Sequence, residues 1–200
     1  MPNQGQPTRA AYLQAGGKST RMGENKAFLD FRGQTLLARA LETLRQVCVD
    51  VTIVGDPKIF SVFGPTIADI FSGCGPLGGI HAALNHSKAE LNLMLAVDMP
   101  FVSADLLKFL LDKASETTDL VTIPRASRGL QPLCAVYRPV FASIAERALK
   151  AGNFKIDATF ADIPMHVIAE QELVSVGFSA ANFFNLNTPD DRRAAGDLIP

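Results

Sequence analysis

The sequence has little cysteine, no tryptophan and almost no net charge, and these shortages exclude several classes of protein. Nineteen lysines and arginines against twenty acids give a formal net charge of -1, so no basic field exists to gather nucleic acid or an anionic membrane. Cys48, Cys74 and Cys134 lie far apart without the spacing of a zinc or redox site, which favours reduced thiols in a cytoplasmic protein. No apolar run approaches the roughly 20 residues of a membrane-spanning helix, and the start of the chain lacks a secretory signal.

Hydrophobic residues make up 48% of the chain, enough for one sizeable core. Residues 1–9 are polar and aperiodic, and they are predicted to be a disordered lead-in to a single domain over 10–200. Short apolar runs then alternate with segments of helical periodicity. The predicted strands are 10–14, 49–54, 91–97, 120–124, 133–138, 164–169 and 183–187, and the predicted helices are 35–47, 77–87, 104–114, 139–150 and 188–196.

This alternation predicts a single three-layer α/β/α Rossmann-like domain with a mainly parallel sheet and right-handed crossovers. The most uniformly apolar run, 91–97, is expected to form the central strand, and Ser103 is expected to cap the helix that follows it. Ligands of such sheets bind beyond the carboxyl ends of the strands. The loops 15–26, 69–79 and 98–103 are therefore predicted to share one face.

The loop after the first predicted strand combines three glycines with two cations. Gly16, Gly17 and Gly23 permit positive φ and close approach, so successive backbone N–H groups can converge on an anion. Arg21 and Lys26 add positive charge. The loop matches neither the P-loop nor the dinucleotide-binding fingerprint, and a solvated glycine turn is the alternative explanation.

Two acids and a second glycine-rich segment complete the candidate site. Asp98 follows the predicted central strand and is the best candidate for a Mg²⁺ (magnesium) ligand, although a turn carboxylate would have the same pattern. Asp69 ends another short predicted strand, where ordinary loop solvation is the alternative. The segment 75–79, GPLGG, lets backbone approach a flat ring at a helix start, or it serves only for capping and packing.

Five blocks of the sequence together resemble one known family. They are AGGKSTRMGENK (15–26), DIFSGCGPLGGIHAAL (69–84), VDMPFV (97–102), GLQPLCAVY (129–137) and FFNLNTPDD (183–191). Their content and order resemble the molybdenum cofactor guanylyltransferases of the nucleotidyltransferase superfamily. The resemblance covers nearly the whole chain from Ala10 onward, whereas the R-M-G-x-x-K motif alone would indicate only the superfamily.

The resemblance implies an enzyme that transfers GMP from GTP to the molybdopterin cofactor and releases pyrophosphate, with Mg²⁺ as its cofactor. It implies catalytic roles for Lys26, Arg21 and Asp98, with Asp98 as the metal ligand. The implied nucleotide-binding residues are Gln14, Ala15, Gly16, Gly17, Lys26, Asp69, Gly75, Pro76, Leu77 and Asp98. Molybdoenzymes that receive the cofactor, or their chaperones, are further partners that the resemblance suggests.

The chain departs from the family pattern at two positions. Gln14 stands where the family usually has leucine, and because that position acts partly through its backbone, the exchange is expected to change little. Gly55 stands where an asparagine often closes the second strand, and the lost amide is expected to weaken a nucleotide contact.

Several assignments stay open at the level of sequence. Arg125 and Arg128 are either clamps for a substrate phosphate or ordinary surface arginines, and Asn185 and Asn187 either orient the second substrate or form a turn before a helix. A cytidylyltransferase acting on the same pterin is the nearest alternative function. A catalytically silent nucleotide-binding protein that delivers the cofactor is the alternative from another class.

Overall fold

The computed structural model describes residues 7–16, 25–126, 129–186 and 191. Within these residues the strands are β1 (Arg9–Gln14), β2 (Asp30–Phe31), β3 (Gln34–Thr35), β4 (Asp50–Val54), β5 (Thr66–Ile67), β6 (Leu91–Ala96), β7 (Val121–Ala126), β8 (Gly129–Leu130), β9 (Cys134–Tyr137) and β10 (Met165–Ile168). The α-helices are α1 (Leu36–Arg45), α2 (Pro57–Phe60), α3 (Gly75–His86), α4 (Ala104–Ser115), α5 (Phe141–Lys150) and α6 (Glu170–Ser175). Three short 3-10 helices cover Lys26–Phe28, Ile156–Thr159 and Ala180–Phe183.

The sheet is mainly parallel, which confirms the predicted fold class. Its strands lie in the order β10-β7-β9-β6-β1-β4-β5, with β8 paired to β7. The pairs β6-β1, β1-β4, β4-β5 and β10-β7 are parallel, whereas β9 runs antiparallel to both of its neighbours. All six residues of β6 are buried and this strand is the fourth of the seven in the order, so it is the central strand, as predicted.

Helices cover both faces of the sheet because alternate side chains of each strand point to opposite sides. In β1, Ala11 and Leu13 join the hydrophobic core beneath α1 and α4. The intervening Ala10 and Tyr12 join a second core beneath α3 and α5. Two cores on the two faces of one sheet give the three layers that the sequence predicts.

Local capping sets where the helices begin. The hydroxyl of Ser103 accepts a hydrogen bond from the N–H of Leu106 at 3.2 Å, which confirms the predicted cap of α4. Helix α3 begins at Gly75, two residues before the predicted start, because Pro76 fits the first turn of a helix.

The three cysteines form no disulfide, as predicted, and the cytoplasmic location stays a prediction. None of the helices in the described ranges is long and apolar enough to cross a membrane.

The predicted strand 183–187 is wrong over its described part. A 3-10 helix ends at Phe183, and residues 184–186 form no strand. The side chains of Ser179 and Asn182 close a capping box there, which selects a helical turn despite the β-prone composition. Residue 187 and the predicted C-terminal helix lie outside the described residues, apart from Asp191, which is helical.

The predicted lead-in 1–9 is too long by two residues. Strand β1 begins at Arg9, and Thr8 already accepts hydrogen bonds from Leu91 and Glu90. These contacts attach the chain to the sheet before the predicted start of the domain. Residues 1–6 lie outside the described part.

Candidate functional site

The carboxyl ends of the parallel strands gather the predicted site residues along one edge. Strand β1 ends at Gln14, β5 leads to Asp69, and β6 leads to Asp98. Parallel strands in one sheet must end on the same side, so these residues share the edge where ligands of open α/β sheets bind.

Lys26 and Asp98 form an ion pair at this edge. Lys26 Nζ lies 2.7 Å from Asp98 Oδ2, and each side chain is 19% exposed. Asn25 fixes the start of the 3-10 helix that carries the lysine, since its side chain accepts from the N–H of Ala27 at 3.1 Å. The structure thus brings together two of the three predicted catalytic residues. Arg21, the third, lies outside the described residues.

Three hydrogen bonds from other elements hold the turn that contains Asp98. They run from Arg39 Nε to the carbonyl of Pro100 (2.7 Å), from Asn182 Nδ2 to the carbonyl of Phe101 (3.1 Å) and from the N–H of Leu186 to the carbonyl of Asp98 (2.9 Å). The sequence analysis missed Arg39 and Asn182, because an arginine on a helix and an asparagine in a short 3-10 helix are common surface residues. Their contacts position the Asp98 carboxylate without touching it.

We expect Arg39→Met to lower kcat/KM for the nucleotidyl transfer that the sequence resemblance implies by about 10- to 100-fold, because small displacements of a reacting group are costly. Arg45→Met is the matched control, since Arg45 also lies on α1 and donates to a backbone carbonyl, that of Phe63, at 3.1 Å. Kinetics of pyrophosphate release on both variants, with melting curves, measure the difference. Equal activity of the two folded variants would remove Arg39 from the positioning of Asp98.

The start of the glycine loop differs from the prediction. The N–H groups of Ala15 and Gly16 both donate to the carbonyl of Val54 at 3.1 Å, so neither is directed at a phosphate in this structure. Gly16 also has no positive φ. These two residues attach the loop to β4, while Gly17 and Gly23 lie outside the described residues.

Position 55 has no room for a side chain in this structure, because the ring of Phe60 fills the space beside Gly55. A Cβ at position 55 would lie 2.8 Å from Cδ2 of Phe60, closer than such contacts occur. The N–H of Gly55 donates to the carbonyl of Ile67 at 2.9 Å, which holds the end of β4 to β5. An asparagine at this position would require the phenyl ring to move.

The glycine-rich segment 75–79 forms the first turn of α3, as expected for a loop-to-helix junction. Gly75 has a φ of 66°, while Leu77 is fully buried in the core on the α3 side. Asp69 lies next to this turn, 3.9 Å from where a Cβ of Gly78 would be. Burial raises the pKa of the Asp69 carboxyl above its usual value.

A cavity of about 290 Å³ opens beside Asp98, and its lining includes Gln131, Pro132, Leu133, Phe183 and Asn185. It approaches the size of a typical ligand pocket and mixes apolar walls with a few polar groups. Asn185 is thus within the site, while Arg125 is exposed on β7 and pairs through its backbone with Leu130, another lining residue. Arg128 and Asn187 lie outside the described residues.

The donor set at this edge fits magnesium. The described residues contain no group of three or more His, Cys, Asp or Glu side chains placed to hold a metal ion, so a metal ion at Asp98 would take at most two such side chains from them. Mg²⁺ commonly takes only one or two protein carboxylates and completes its shell with phosphate oxygens and water. A structural zinc site requires four protein ligands, which is more than any group of His, Cys, Asp and Glu side chains in the described ranges provides.

The mainly parallel sheet, the Lys26–Asp98 pair at its carboxyl edge and the adjoining cavity define an α/β protein with a candidate ligand site at the carboxyl ends of its strands. The MobA-like NTP transferase domain family matches residues 11–163. The chain belongs to this family.

Relatives and a solved structure are similar along nearly the whole chain. A probable molybdenum cofactor guanylyltransferase of Clostridium perfringens is 35% identical, covering 92% of this chain and 93% of the relative. The molybdenum cofactor guanylyltransferase of Desulfosudis oleivorans is 33% identical, with 92% and 93% covered. The crystal structure of molybdopterin-guanine dinucleotide biosynthesis protein A from Archaeoglobus fulgidus superposes with a TM-score of 0.84 at 28% identity, covering 95% of this chain and 97% of that one.

Proposed function

We propose that this chain is a molybdenum cofactor guanylyltransferase, which transfers GMP from GTP to the molybdopterin cofactor. The observation that carries the proposal is the Lys26–Asp98 pair at the carboxyl edge, beyond the end of β6. The neighbouring strand β1 ends at Gln14, which contacts Pro76 of the glycine-rich turn, and the cavity lies toward β9 on the other side of β6. Family membership and the names of the relatives support this assignment.

The proposed reaction is an in-line displacement at the α-phosphorus of GTP. An oxygen of the terminal phosphate of molybdopterin forms the new P–O bond, and the bond between the α-phosphorus and the bridging oxygen of pyrophosphate breaks. The attacking oxygen is already ionised near pH 7, so the chain needs no general base. The requirements are alignment of the two phosphates and neutralisation of the charge on the leaving group.

The described residues meet these requirements in part. Lys26 provides a cation at the end of the glycine loop, where it would stabilise the triphosphate and the departing pyrophosphate. Arg21 would add a second cation from the same loop. Asp98 would hold Mg²⁺, which when bound neutralises phosphate oxygens and aligns the attacking and leaving groups.

The two substrates would occupy opposite sides of Asp98. We assign the guanine base to the turn at residues 75–79 and the pterin to the cavity that contains Asn185. Arg125 is exposed near the rim of that cavity and could pair with a phosphate of the second substrate. This arrangement leaves the α-phosphorus between the two sides, next to the Lys26–Asp98 pair.

The proposal predicts that the protein binds GTP at least tenfold more tightly than CTP or ATP, about 1.4 kcal/mol. A site that hydrogen-bonds the edge of one base leaves its polar groups unpaired with another. Calorimetric titration of the four nucleoside triphosphates with Mg²⁺ measures this preference. Tighter binding of CTP would indicate a cytidylyltransferase, and GTP binding without pyrophosphate release would indicate a silent delivery protein.

A further inference from the structure

The cavity beside Asp98 contains a second amide besides that of Asn185. Of the described residues that line this cavity, three have polar side chains: Asp98, Gln131 and Asn185. Asp98 is assigned to the metal and the phosphates, so the two amides are the groups that can bind the ring of a ligand there. Gln131 is only 9% exposed, whereas Asn185 is partly exposed, so Gln131 is the more deeply placed of the two.

One hydrogen bond fixes the orientation of the Gln131 amide. Its Nε2 donates to the carbonyl of Gly129 at 3.0 Å. A carbonyl can only accept, so this contact distinguishes the nitrogen end of the amide from the oxygen end. Within the described ranges, Oε1 of Gln131 accepts no hydrogen bond from another residue. The oxygen end therefore remains an acceptor for a ligand in the cavity.

Backbone hydrogen bonds hold the segment that carries this amide. The N–H of Gln131 donates to the carbonyl of Pro124 at 3.0 Å, and its carbonyl accepts from the N–H of Cys134 at 3.0 Å. The hydroxyl of Tyr137, which is fully buried, donates to the carbonyl of the next residue, Pro132, at 2.8 Å. Contacts to β7 and β9 thus fix the backbone on both sides of the side chain, and a preformed site loses little entropy when a ligand binds.

The rest of the cavity suits a flat ring. Its apolar lining residues include Leu130, Leu133 and Phe183. A bicyclic heterocycle can lie against such walls while its edge makes hydrogen bonds. The pyrimidine ring of a pterin has a 2-amino group, an N3–H and a 4-oxo group, so it presents two adjacent donors that complement the free acceptor of Gln131. Because Asp98 lines the same cavity, a phosphate attached to that ring would lie next to the Lys26–Asp98 pair.

We infer that Gln131 selects the acceptor substrate: its Oε1 accepts a hydrogen bond from the N–H donors on the pyrimidine edge of the pterin. The inference rests on the proposed function, because it takes the second substrate to be a pterin. It makes Gln131 a specificity-determining residue on the side of the site away from the glycine-rich turn.

Guanine has the same 2-amino-4-oxo pyrimidine edge as a pterin, so the chemistry of the amide alone does not separate the two substrates. The position of the cavity does. It lies toward β9, whereas the turn assigned to guanine contacts the end of β1, on the other side of β6. The experiment therefore measures the affinities for a pterin and for GTP in parallel.

Two substitutions separate the acceptor oxygen from the contact inside the protein. Gln131→Met keeps the length of the side chain and removes both functions of the amide. Gln131→Glu keeps an acceptor oxygen and removes the N–H that donates to Gly129. Asn85→Leu is the matched control, because Asn85 also donates to a backbone carbonyl, that of His81, at 2.9 Å, and lies on α3.

The probe is 6-hydroxymethylpterin phosphate, which carries the pterin ring and a phosphate without the metal, and its fluorescence reports binding in the presence of Mg²⁺. We expect its affinity to fall about tenfold in Gln131→Met, to change less than about threefold in Gln131→Glu, and to stay unchanged in the control. The affinity for GTP, measured by calorimetry, should be the same in all four proteins. The melting temperature should fall by a similar amount in both Gln131 variants, because both lose the bond to Gly129.

Equal loss of pterin affinity in Gln131→Met and Gln131→Glu would mean that the residue only packs the segment, and would overturn the inference. Loss of GTP affinity with unchanged pterin affinity would overturn it as well, because the cavity would then hold guanine. If Gln131→Met does not fold, the smaller Gln131→Ala takes its place in the comparison. A wild-type protein that prefers GTP but does not bind the pterin would contradict this inference alone, whereas one that binds neither would contradict the proposed function.

Discussion

Asp98→Asn is expected to fold normally and to lose nearly all pyrophosphate release, at least about a thousandfold or roughly 4 kcal/mol in the barrier. Asparagine keeps the size of aspartate but lacks the anionic oxygens that a hard cation prefers. The backbone hydrogen bond from Leu186 to the carbonyl of residue 98 does not depend on the side chain, so the turn should keep its shape. Lys26 cannot compensate, because a point charge does not align two oxygens as a metal ion does.

The measurement is a coupled pyrophosphate assay on wild type and variant over a series of Mg²⁺ concentrations, with circular dichroism melts. Asp112→Asn is the matched control, because it also removes a carboxylate from an ion pair. Asp112 pairs with Arg9 at 3.0 Å, and Arg9 is the first residue of β1, at the end of the strand away from the candidate site. Partial recovery at high Mg²⁺ would mean that affinity for the metal is the main defect. A folded Asp98→Asn protein as active as wild type at low Mg²⁺ would contradict the metal assignment.

Much of this edge could be predicted because strand ends leave clear signals in the sequence. The apolar run of β1 stops at glycine and that of β6 stops before Asp98, so the chain order alone places both loops at the carboxyl edge. The alternation of short apolar runs with segments of helical spacing predicted the three layers in the same way. Each of these signals lies within one segment of the sequence, so it can be interpreted without knowing how distant segments pack.

Contacts between distant segments could not be predicted in this way. The Lys26–Asp98 pair joins residues 72 positions apart, and its geometry depends on how two loops pack. The role of Arg39 could not be predicted for the same reason, because its hydrogen-bond partner is the backbone carbonyl of Pro100, which lies in a different segment of the chain. The close approach of the Gly79 backbone to the side-chain amide of Gln14 also depends on how β1 and α3 pack, and no residue pattern in the sequence indicates it.

Short or ambiguous elements account for the remaining differences. The strands β2 and β3 have two residues each and α2 has four, too few for any periodicity to show. The apolar run of β9 indicates a strand but not its direction, which is antiparallel here. At 183–186 the aromatic composition favours a strand, and the capping box before it decides otherwise.

Lys26→Ala is expected to lower turnover by about 2 to 4 kcal/mol, roughly 30- to 1,000-fold, with a smaller loss of GTP affinity. The lysine lies at the end of the glycine loop and already neutralises one carboxylate at 2.7 Å. On the leaving pyrophosphate the negative charge grows during the reaction, so an ammonium group there contributes more to the transition state than to binding. Lys58→Ala, on the exposed surface of α2, serves as the control.

A second readout separates this role from a structural one. Because Lys26 Nζ contacts Asp98 Oδ2, removing the lysine leaves that carboxylate more negative toward cations. Calorimetric titration with Mg²⁺ in the absence of nucleotide should therefore show tighter binding to Lys26→Ala than to wild type, and weaker binding to Asp98→Asn. Turnover of Lys26→Ala equal to wild type at saturating GTP would remove the lysine from the mechanism. Weaker Mg²⁺ binding with reduced stability would instead mean that the pair mainly holds the two loops together.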